Sequence, residues 1–394
     1  MDEAEKIEEI LTRGVAEVIH TDVLRAKLLA RKTLRIKFGI DPTSPNIHLG
    51  RAAAIWKLRE LQDLGHQIVF IVGDFTAVIG DTSDKDAERQ MLTREEVEHN
   101  LTTYFEQAGM ILDMNKVEKH RNSEWLEKLT YREVGEHADI FALSDFIARD
   151  NIKRRLEGGK RVSLRELLYP LMQGYDSVAV KADIEVGGTD QKFNLLAGRK
   201  LQEHFGQEPQ NILMLTLLEG VDGRKMSSSW GNTINLLDLP NDMFGKVMSL
   251  RDELIVKYFV NATRVSAQRV KEVEAVLARG ENPRDQKLSL AEEIVAIYHG
   301  QGEAVRAREV FIETFQKKEI PEGIDEVDAT AGELFSDVLL RVGVVLSKTD
   351  FRRLVDEGAI KRLHENVEEK ITDFKMVATP GVYKIGKRRF LKIK

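Results

Sequence analysis

One stretch near the amino terminus, residues 34–72, constrains the fold more than any other part of the chain. Leu34–Ile40 alternates apolar and basic residues, which is typical of a strand, and Gln67–Val72 is a second strand rich in Ile and Val. Between them, apolar residues recur at helical spacing from Ala54 to Leu61, and Gly65 marks the expected helix end. Strand, helix and strand make a βαβ unit, whose crossover is expected to be right-handed.

The start of this helix carries His48-Leu49-Gly50-Arg51 and faces the crevice beyond the strand ends. A helix N-terminus suits phosphate, because its free N–H groups and its dipole favour negative charge. His and Arg add donors, and Gly lets a ligand approach the backbone. No GxGxxG follows the strand, so the pattern is not that of a nicotinamide-binding fold. A single His at a helix start is more often a cap, so a function needs further evidence.

Composition sets the class of protein. A chain of 394 residues is expected to hold two or three domains, and 42% hydrophobic with 31% charged residues is typical of a globular protein in water. The absence of Cys excludes disulfides and thiolate metal sites. No signal peptide is apparent, and apolar runs such as Ile68–Val72 are too short to span a bilayer. A net charge of -6 argues against nucleic-acid binding over the whole surface, but allows a local basic module.

The succession of helix, strand and loop returns in the middle of the chain. We predict a helix interrupted by Pro170, a short strand, another helix and a buried strand, at Ser163–Val180, Asp183–Val186, Phe193–Leu201 and Asn211–Leu218. Polar loops at 187–191 and 222–232 follow the two strands, where a doubly wound sheet places its ligands.

The remaining segments complete the predicted organisation. Residues 1–32 are expected to be helical, and residues 122–161 read as a charged insertion suited to a subunit interface. From about residue 240 the strand pattern gives way to helices, and residues 320–330 resemble a linker.

The carboxyl-terminal tail differs in charge from the rest of the chain. Residues 341–394 hold 14 Lys and Arg against 7 Asp and Glu. Ser347–Leu354 is typical of a capped amphipathic helix, and Tyr383–Ile393 of a basic strand pair. A solvated charged end is the simple alternative. We favour RNA binding, because basic residues interleave with aromatic ones on structured elements.

Two motifs give the chain a recognisable resemblance. His48-Leu49-Gly50-Arg51 is similar to the HIGH motif of class I aminoacyl-tRNA synthetases, and Lys225-Met226-Ser227-Ser228-Ser229 to their KMSKS motif. Gly187–Gln191 resembles the segment of that family beneath the nucleotide ribose. The resemblance implies an α/β protein with a Rossmann-type doubly wound parallel sheet, an α-helical domain and a small α+β RNA-binding domain.

The segment Tyr169–Asp176 resembles the tyrosyl-tRNA synthetases within this class. The spacing Tyr-x-x-x-Gln-x-x-Asp puts three polar groups on one helical face, and Asn122 with Trp125 matches a structural segment of the family. By resemblance, Asp176 accepts a hydrogen bond from the substrate hydroxyl, while other residues hold its ammonium or line the pocket. The tyrosine set is Asp41, Asp81, Tyr169, Gln173, Asp176 and Gln191.

The implied chemistry is activation of tyrosine by ATP, followed by transfer to the terminal adenosine of tRNA. It needs positioning and charge stabilisation rather than a protein nucleophile. The implied catalytic set is Thr43, His48, Lys85, Arg89, Lys225 and Ser228. The implied ATP set is Gly50, Arg51, Gly188, Asp190, Lys225, Met226 and Ser228. The expected RNA set is Lys348, Arg352, Arg353, Lys387, Arg388 and Arg389.

The resemblance also implies domains and partners. We expect a catalytic domain at 1–235 with an insertion at about 115–162, an anticodon-binding helical domain at 236–325, and an S4-like domain at 332–394. ATP with Mg²⁺ is expected as a substrate, without a tightly bound cofactor or a dedicated protein metal site. A cytoplasmic homodimer that acts on tRNA, away from membranes, is expected.

Three residues depart from the family pattern. Arg51 replaces the second His of HIGH and adds a permanent charge, whereas Ser228 replaces the second Lys of KMSKS and removes one. Lys37 stands where many bacterial tyrosyl enzymes place a Tyr against the substrate hydroxyl.

Other readings of the sequence stay open. A tryptophanyl enzyme of the same subclass is the nearest, although an indole has no hydroxyl for Asp176 and Gln173. A nucleotidyltransferase or small-molecule ligase that shares the HIGH fold would need neither the helical region nor the basic tail. A non-catalytic RNA-binding paralogue would not need the pocket residues.

Overall fold

The computed structural model describes residues 2–30, 32–81, 91–314, 324–330, 332–364, 367–386 and 389–394. The chain divides into two units. The first comprises residues 1–237 and 256–271, and the second comprises residues 238–255 and 272–394. Among the described residues, no helix is both long and apolar enough to cross a lipid bilayer.

A six-stranded sheet forms the centre of the first unit. Its strands are β1 (Val15–Ile19), β2 (Arg35–Ile40), β3 (Gln67–Val72), β4 (Val117–Arg121), β5 (Ile184–Gly188) and β6 (Asn211–Leu215). They lie in the order β1-β6-β5-β2-β3-β4, and all neighbours are parallel except β1 and β6. The winding direction reverses between β2 and β5, so this α/β sheet has its ligand crevice beyond the carboxyl ends of those strands.

Helices connect these strands. They are α1 (Glu3–Thr12), α2 (Thr21–Leu29), α3 (Leu49–Asp63), α4 (Asp74–Ile79), α5 (Arg94–Leu101), α6 (Tyr104–Gly109), α7 (Ser123–Leu126), α8 (Tyr131–Asp139), α9 (Leu143–Ile147), α10 (Asp150–Glu157), α11 (Leu164–Ala179) and α12 (Lys192–His204). The predicted βαβ unit is therefore confirmed as β2, α3 and β3. Its inner positions, including Ile36, Ile55 and Phe70, are fully buried.

Two local predictions were wrong. Residues 1–32 are not wholly helical, because Val15–Ile19 forms β1, an edge strand aligned against β6. Pro170 does not interrupt its helix, since α11 continues through it. Ser163 and Glu166 form a capping box at the start of α11, and packing on α12 supports the helix around the proline.

The segment predicted as an insertion contributes to the sheet at its beginning. Val117–Arg121 is the edge strand β4, parallel to β3, so only the residues after it lie outside the sheet. They form the short helices α7 to α10.

The second unit combines helices with a small sheet. The helices after β6 are α13 (Pro240–Met248), α14 (Ile255–Ala262), α15 (Ala267–Ala278), α16 (Pro283–His299), α17 (Gln301–Ile312), α18 (Phe335–Arg341) and α19 (Lys348–Asp356). Residues 256–271, which hold most of α14 and the start of α15, belong to the first unit. The strands are β7 (Asp325–Val327), β8 (Ile360–His364), β9 (Val367–Lys370), β10 (Gly381–Ile385) and β11 (Arg389–Ile393), in the order β7-β11-β10-β8-β9.

The predicted tail elements are present in this unit. Ser347 caps α19 by accepting the N–H of Asp350, and β10 pairs with β11 as the expected strand pair. Phe335, Phe351 and Tyr383 lie in the hydrophobic core beneath this small sheet. Asp325–Val327, in the stretch predicted as a linker, pairs with β11, so the small sheet begins before residue 332.

Candidate active site

One cleft of the first unit lies beyond the ends of β2 and β5, beside the start of α3. It brings together every residue of the tyrosine and ATP sets, and every described residue of the catalytic set. Lys85 and Arg89 lie outside the described residues. The cleft is lined by Asp41, Thr43, His48, Gly50, Arg51, Asp81, Tyr169, Gln173, Asp176, Gly188, Asp190, Gln191, Lys225, Met226 and Ser228.

His48 is the N-cap of α3 and also faces the cleft. Its Nδ1 accepts the backbone N–H of Arg51 at 3.3 Å, which assigns the ring hydrogen to Nε2. Burial, helped by the positive charges of Arg51 and Lys225, lowers the pKa of His48 to about 3. The ring is therefore a neutral donor at ordinary pH, and it can bond a phosphate oxygen without changing its charge.

Gly50 keeps the start of α3 open. A Cβ at this position would lie 3.1 Å from Nδ1 of His48 and 3.7 Å from Cβ of Met226. The Gly50 N–H points at the Met226 sulfur, 3.4 Å away. The two signature segments therefore touch here, although about 176 residues separate them in the chain.

Arg51 is fixed in the cleft by two hydroxyl groups. Its guanidinium donates to Tyr104 Oη at 2.6 Å and to Thr43 Oγ1 at 3.0 Å. Tyr104 in turn donates to the carbonyl of Ser44 at 2.8 Å. These bonds hold a permanent positive charge beside His48. The sequence gave no sign that the hydroxyl of Tyr104 supports Arg51.

The loop that carries Lys225 closes the other side of the cleft. Lys225 Nζ lies 2.8 Å from Oδ2 of Asp190, an acid of the implied ATP set. Ser228 Oγ is 2.9 Å from Ser44 Oγ, so a hydroxyl pair joins this loop to the one before α3. Asn232 is buried and bonds the N–H of Ser227 and the carbonyl of Lys225, which fixes the loop backbone.

Asp176 forms the floor of the opposite part of the cleft. It is 3% exposed, and it accepts the indole N–H of Trp125 at 2.8 Å and the amide of Asn122 at 3.4 Å. Burial raises its pKa to about 7, against the opposing effects of Lys37, Trp125 and Asn122. A carboxylate in this setting can take a further hydrogen bond from a hydroxyl group in the cleft.

Further acceptors surround this floor. Tyr169 donates its hydroxyl to Asp41 at 2.9 Å, and burial and nearby carboxylates raise the pKa of Tyr169 well above its usual value. Gln191 donates to Asp81 at 2.8 Å, and Asn194 bridges the amide oxygens of Gln173 and Gln191. This group of acids and amides suits an ammonium group. Asn194 was not predicted as part of the site, because its sequence position indicated only a helix interior.

Lys37 does not reach the cleft, although the resemblance aligned it with a residue that contacts substrate. Its side chain is 0% exposed and lies behind α11, where it pairs with Glu185 at 2.8 Å. Glu185 was also missed, since a lone acid in a short apolar strand carries no functional signal.

The predicted RNA-binding residues differ in how exposed they are. Lys348, Arg352 and Arg353 are exposed along α19, with Lys348 near Asp337 and Arg353 between Asp350 and Glu357. Arg389 is half-buried, and it bonds Asp242 at 2.6 Å and the carbonyl of Val344. Lys387 and Arg388 lie outside the described residues. In the described part of the chain, no group of three or more His, Asp or Glu residues could hold a metal ion.

Comparison with known proteins gives a consistent result. The family model of class I tRNA synthetases (W and Y) matches residues 29–316. The tyrosine–tRNA ligase of Thermotoga maritima is 43% identical over 98% of this chain and 96% of its own length. That of Carboxydothermus hydrogenoformans is 44% identical over 100% of this chain and 98% of its own.

Solved structures show the same fold. An Archaeoglobus fulgidus tyrosyl-tRNA synthetase complexed with L-tyrosine matches with a TM-score of 0.62 and 24% identity, over 78% of this chain and all of that one. A truncated mitochondrial tyrosyl-tRNA synthetase of Aspergillus nidulans matches with a TM-score of 0.64 and 21% identity, over 79% of this chain and 94% of that one.

Proposed function

This chain belongs to the tyrosine–tRNA ligase family of the class I tRNA synthetases, and we propose that its cleft activates tyrosine and transfers it to tRNA. In the first step, the tyrosine carboxylate attacks the α-phosphorus of ATP and pyrophosphate leaves. In the second, a hydroxyl of the terminal adenosine of tRNA attacks the carbonyl of tyrosyl-adenylate, and AMP leaves. The observation that carries the proposal is the buried Asp176 carboxylate at the cleft floor, fixed by Trp125 and Asn122.

Asp176 supports tyrosine as the substrate over tryptophan. Its carboxylate has acceptor capacity beyond the two protein donors, and the phenol hydroxyl would use it. The indole N–H of tryptophan lies closer to its Cβ than the hydroxyl of tyrosine does, and off the long axis of the ring, so it would meet a carboxylate at the floor of the pocket less well. Tyr169, Gln173, Asp81 and Gln191 would hold the ammonium, and Asp41 would line the pocket between amino acid and nucleotide.

The start of α3 and the Lys225 loop would bind ATP. His48, Thr43 and Arg51 face the phosphates from one side, and Lys225 with Ser228 faces them from the other. Asp190 would bind the ribose hydroxyl, so Lys225 would exchange Asp190 for phosphate when ATP enters. Gly50, Gly188 and Met226 would shape the space, and Lys85 and Arg89 complete the proposed set. Mg²⁺ would enter with ATP as part of the substrate.

The second unit would bind tRNA. We propose that residues 236–325 read the anticodon region and that the tail, predicted at 332–394, is an S4-like module with its small sheet extended to Asp325. Lys348, Arg352 and Arg353 would face the phosphate backbone, together with Lys387 and Arg388. Arg389 would instead anchor the tail, because Asp242 already neutralises its charge.

Apolar side chains on the helices after β4 support a homodimer. Tyr131 is 96% exposed, Leu143 63% and Leu164 78%, and contact with a second copy would remove these apolar side chains from water. We propose that two copies associate through this region and act in the cytoplasm, where translation uses charged tRNA.

Pyrophosphate exchange tests the proposed function. Purified protein is incubated with ATP, labelled pyrophosphate and each of the twenty amino acids in turn. Tyrosine is expected to support exchange, with Asp176→Asn as the matched control of reduced activity. Exchange driven by tryptophan would favour the alternative enzyme. If none of the twenty amino acids supports exchange while the protein shows a normal melting curve, the non-catalytic RNA-binding paralogue would be favoured.

A further inference from the structure

Glu185, which lines the cleft, and Lys37, which lies behind it, form a buried charge pair at the tyrosine pocket. They face each other in register on the parallel strands β2 and β5, and their charged atoms are 2.8 Å apart. Both side chains are almost completely buried, at 0% and 1% exposed. A buried pair of this kind is weak evidence for stability, because apolar residues of similar size often serve as well. The pair therefore calls for an explanation other than stability.

The Lys37 ammonium uses three acceptors. Besides Glu185, it donates to the carbonyl of Gln173 at 2.8 Å and to Ser177 Oγ at 2.7 Å. Three acceptors match the three hydrogens of a charged ammonium, whereas a neutral amine has only two. The geometry therefore fits Lys37 in its charged form.

Gln173 and Ser177 bracket Asp176 on α11. Lys37 thus holds the helical turn from which the Asp176 side chain projects, and it places a positive charge behind that carboxylate. Next to burial, Lys37 has the largest effect on the pKa of Asp176, and it lowers it. Glu185 raises the pKa of Asp176. Its carboxylate is held by hydrogen bonds from Gln173, Ser177 and Gln210 in addition to Lys37.

Other groups face Asp176 from the elements around it. Trp125 and Asn122 donate hydrogen bonds from the side of β4, as described above. Tyr169, on the same helix, gives its hydrogen to Asp41 and so does not supply one to Asp176. Lys37 is therefore the cation that counters burial from the β2 side.

We propose that Lys37 is a positioning residue for tyrosine selection, which keeps the Asp176 carboxylate anionic and aimed at the phenol hydroxyl. An ionised carboxylate accepts a stronger hydrogen bond than a protonated acid. The inference rests on the proposed function, since it assumes that Asp176 recognises the phenol. It assigns to Lys37 an electrostatic role through Asp176 in place of a direct substrate contact.

The test compares kcat/KM for tyrosine and for phenylalanine in pyrophosphate exchange, from about pH 5.5 to about pH 9, because this ratio reports groups of the free enzyme. Activity of the wild-type protein with tyrosine tests the proposed function. The role of Lys37 is tested by the acid limb, the fall of kcat/KM for tyrosine at low pH as Asp176 takes up a proton, and in particular by the pH of its midpoint. Phenylalanine lacks the hydroxyl, so its kcat/KM should follow the Asp176 titration far less.

Two variants should shift the midpoint of the tyrosine acid limb in opposite directions. Lys37→Met with Glu185→Gln removes the pair without leaving an unpaired charge, and should raise the midpoint of the tyrosine limb by about half to one pH unit. At pH 7 this corresponds to a loss of about two- to five-fold in kcat/KM for tyrosine, with little loss for phenylalanine. Glu185→Gln alone leaves Lys37 in place and should lower the midpoint.

Lys57→Met is the matched control. Lys57 is also buried, is also paired with a glutamate, and lies outside the cleft. Its loss should leave the limb unchanged. The proposal is overturned if the double variant folds with a wild-type limb. If the double variant fails to fold, Lys37→Gln with Glu185→Gln, which keeps a polar group at both positions, decides in its place. A raised midpoint supports the proposal, and an unchanged or lowered midpoint rejects it.

Discussion

Replacing His48 by Asn, Gln and Ala should separate its structural role from its proposed catalytic role. Nδ1 caps α3 by accepting the N–H of Arg51, whereas Nε2 carries the hydrogen available to ATP. The Asn side-chain oxygen, an acceptor, falls near the position of Nδ1, and a Gln amide nitrogen, a donor, reaches the position of Nε2. We therefore expect Asn to preserve the cap and Gln to preserve the donor.

The magnitudes follow from these two contacts. Loss of an N-cap typically costs about 1 kcal/mol of stability, which lowers the melting temperature by about 2 °C in a protein domain of this size. Loss of one preorganised donor to a developing charge costs about 3 kcal/mol, or about 10² to 10³ in rate. His48→Ala should show both losses, His48→Asn mainly the rate loss, and His48→Gln mainly the stability loss.

Rapid-quench measurement of adenylate formation, with a melting curve for each variant, tests this reasoning. Because the pKa of His48 is held at about 3, its ring stays neutral from about pH 5 to about pH 9, and the rate of adenylate formation should not change with pH through His48 over that range. Equal rates for Asn and Gln variants would refute the assignment of the two nitrogens. A limb near pH 6.5 that disappears in His48→Gln would refute the neutral ring.

Further outcomes follow from the cleft and the tail. Asp176→Asn should narrow the Tyr/Phe ratio of kcat/KM. Because the pKa of Asp176 is raised to about 7 in the folded protein, the wild type should lose stability as the pH rises from about 4 to about 7. The Asn variant lacks this titration, so its melting temperature should rise relative to that of the wild type over the same interval. Arg51→His should slow adenylate formation, and adding Ser228→Lys should restore part of the rate by returning a positive charge; stopped-flow rates of single and double variants check this. Arg352→Glu should weaken tRNA binding and reduce its salt slope by about 1 without changing pyrophosphate exchange.

Local sequence patterns predicted the elements that one segment determines by itself. The alternation before the His48 motif, the helical spacing after it and the Ile/Val run after Gly65 gave β2, α3 and β3. Strand β1 was missed because Val15–Ile19 is short and takes its place as an edge strand through pairing with β6, which lies far away in the chain. Tertiary packing likewise keeps α11 helical at Pro170, against the local preference.

The same distinction applies to the candidate site. Signature motifs indicated the residues that face the cleft, because their types and spacing suit the chemistry. Their supports were not visible, since Tyr104 reaches Arg51 from 53 positions away and Glu185 reaches Lys37 only because β2 and β5 are neighbours. A sequence pattern identifies groups that touch a ligand more readily than groups that hold them in place.

Under the proposed function, the arrangement of charge in the cleft would orient both substrates within one cavity. The pKa of Tyr169 responds to Asp41, Asp81 and Asp176, so these carboxylates gather around the tyrosine end. The pKa of His48 responds to Arg51 and Lys225, so the cations gather around the start of α3. The ammonium of tyrosine and the phosphates of ATP would therefore each be drawn to a different end of the cleft. A reversed amino acid would put its carboxylate among acids, which leaves the productive orientation, with carboxylate toward phosphate, as the one that the charges favour.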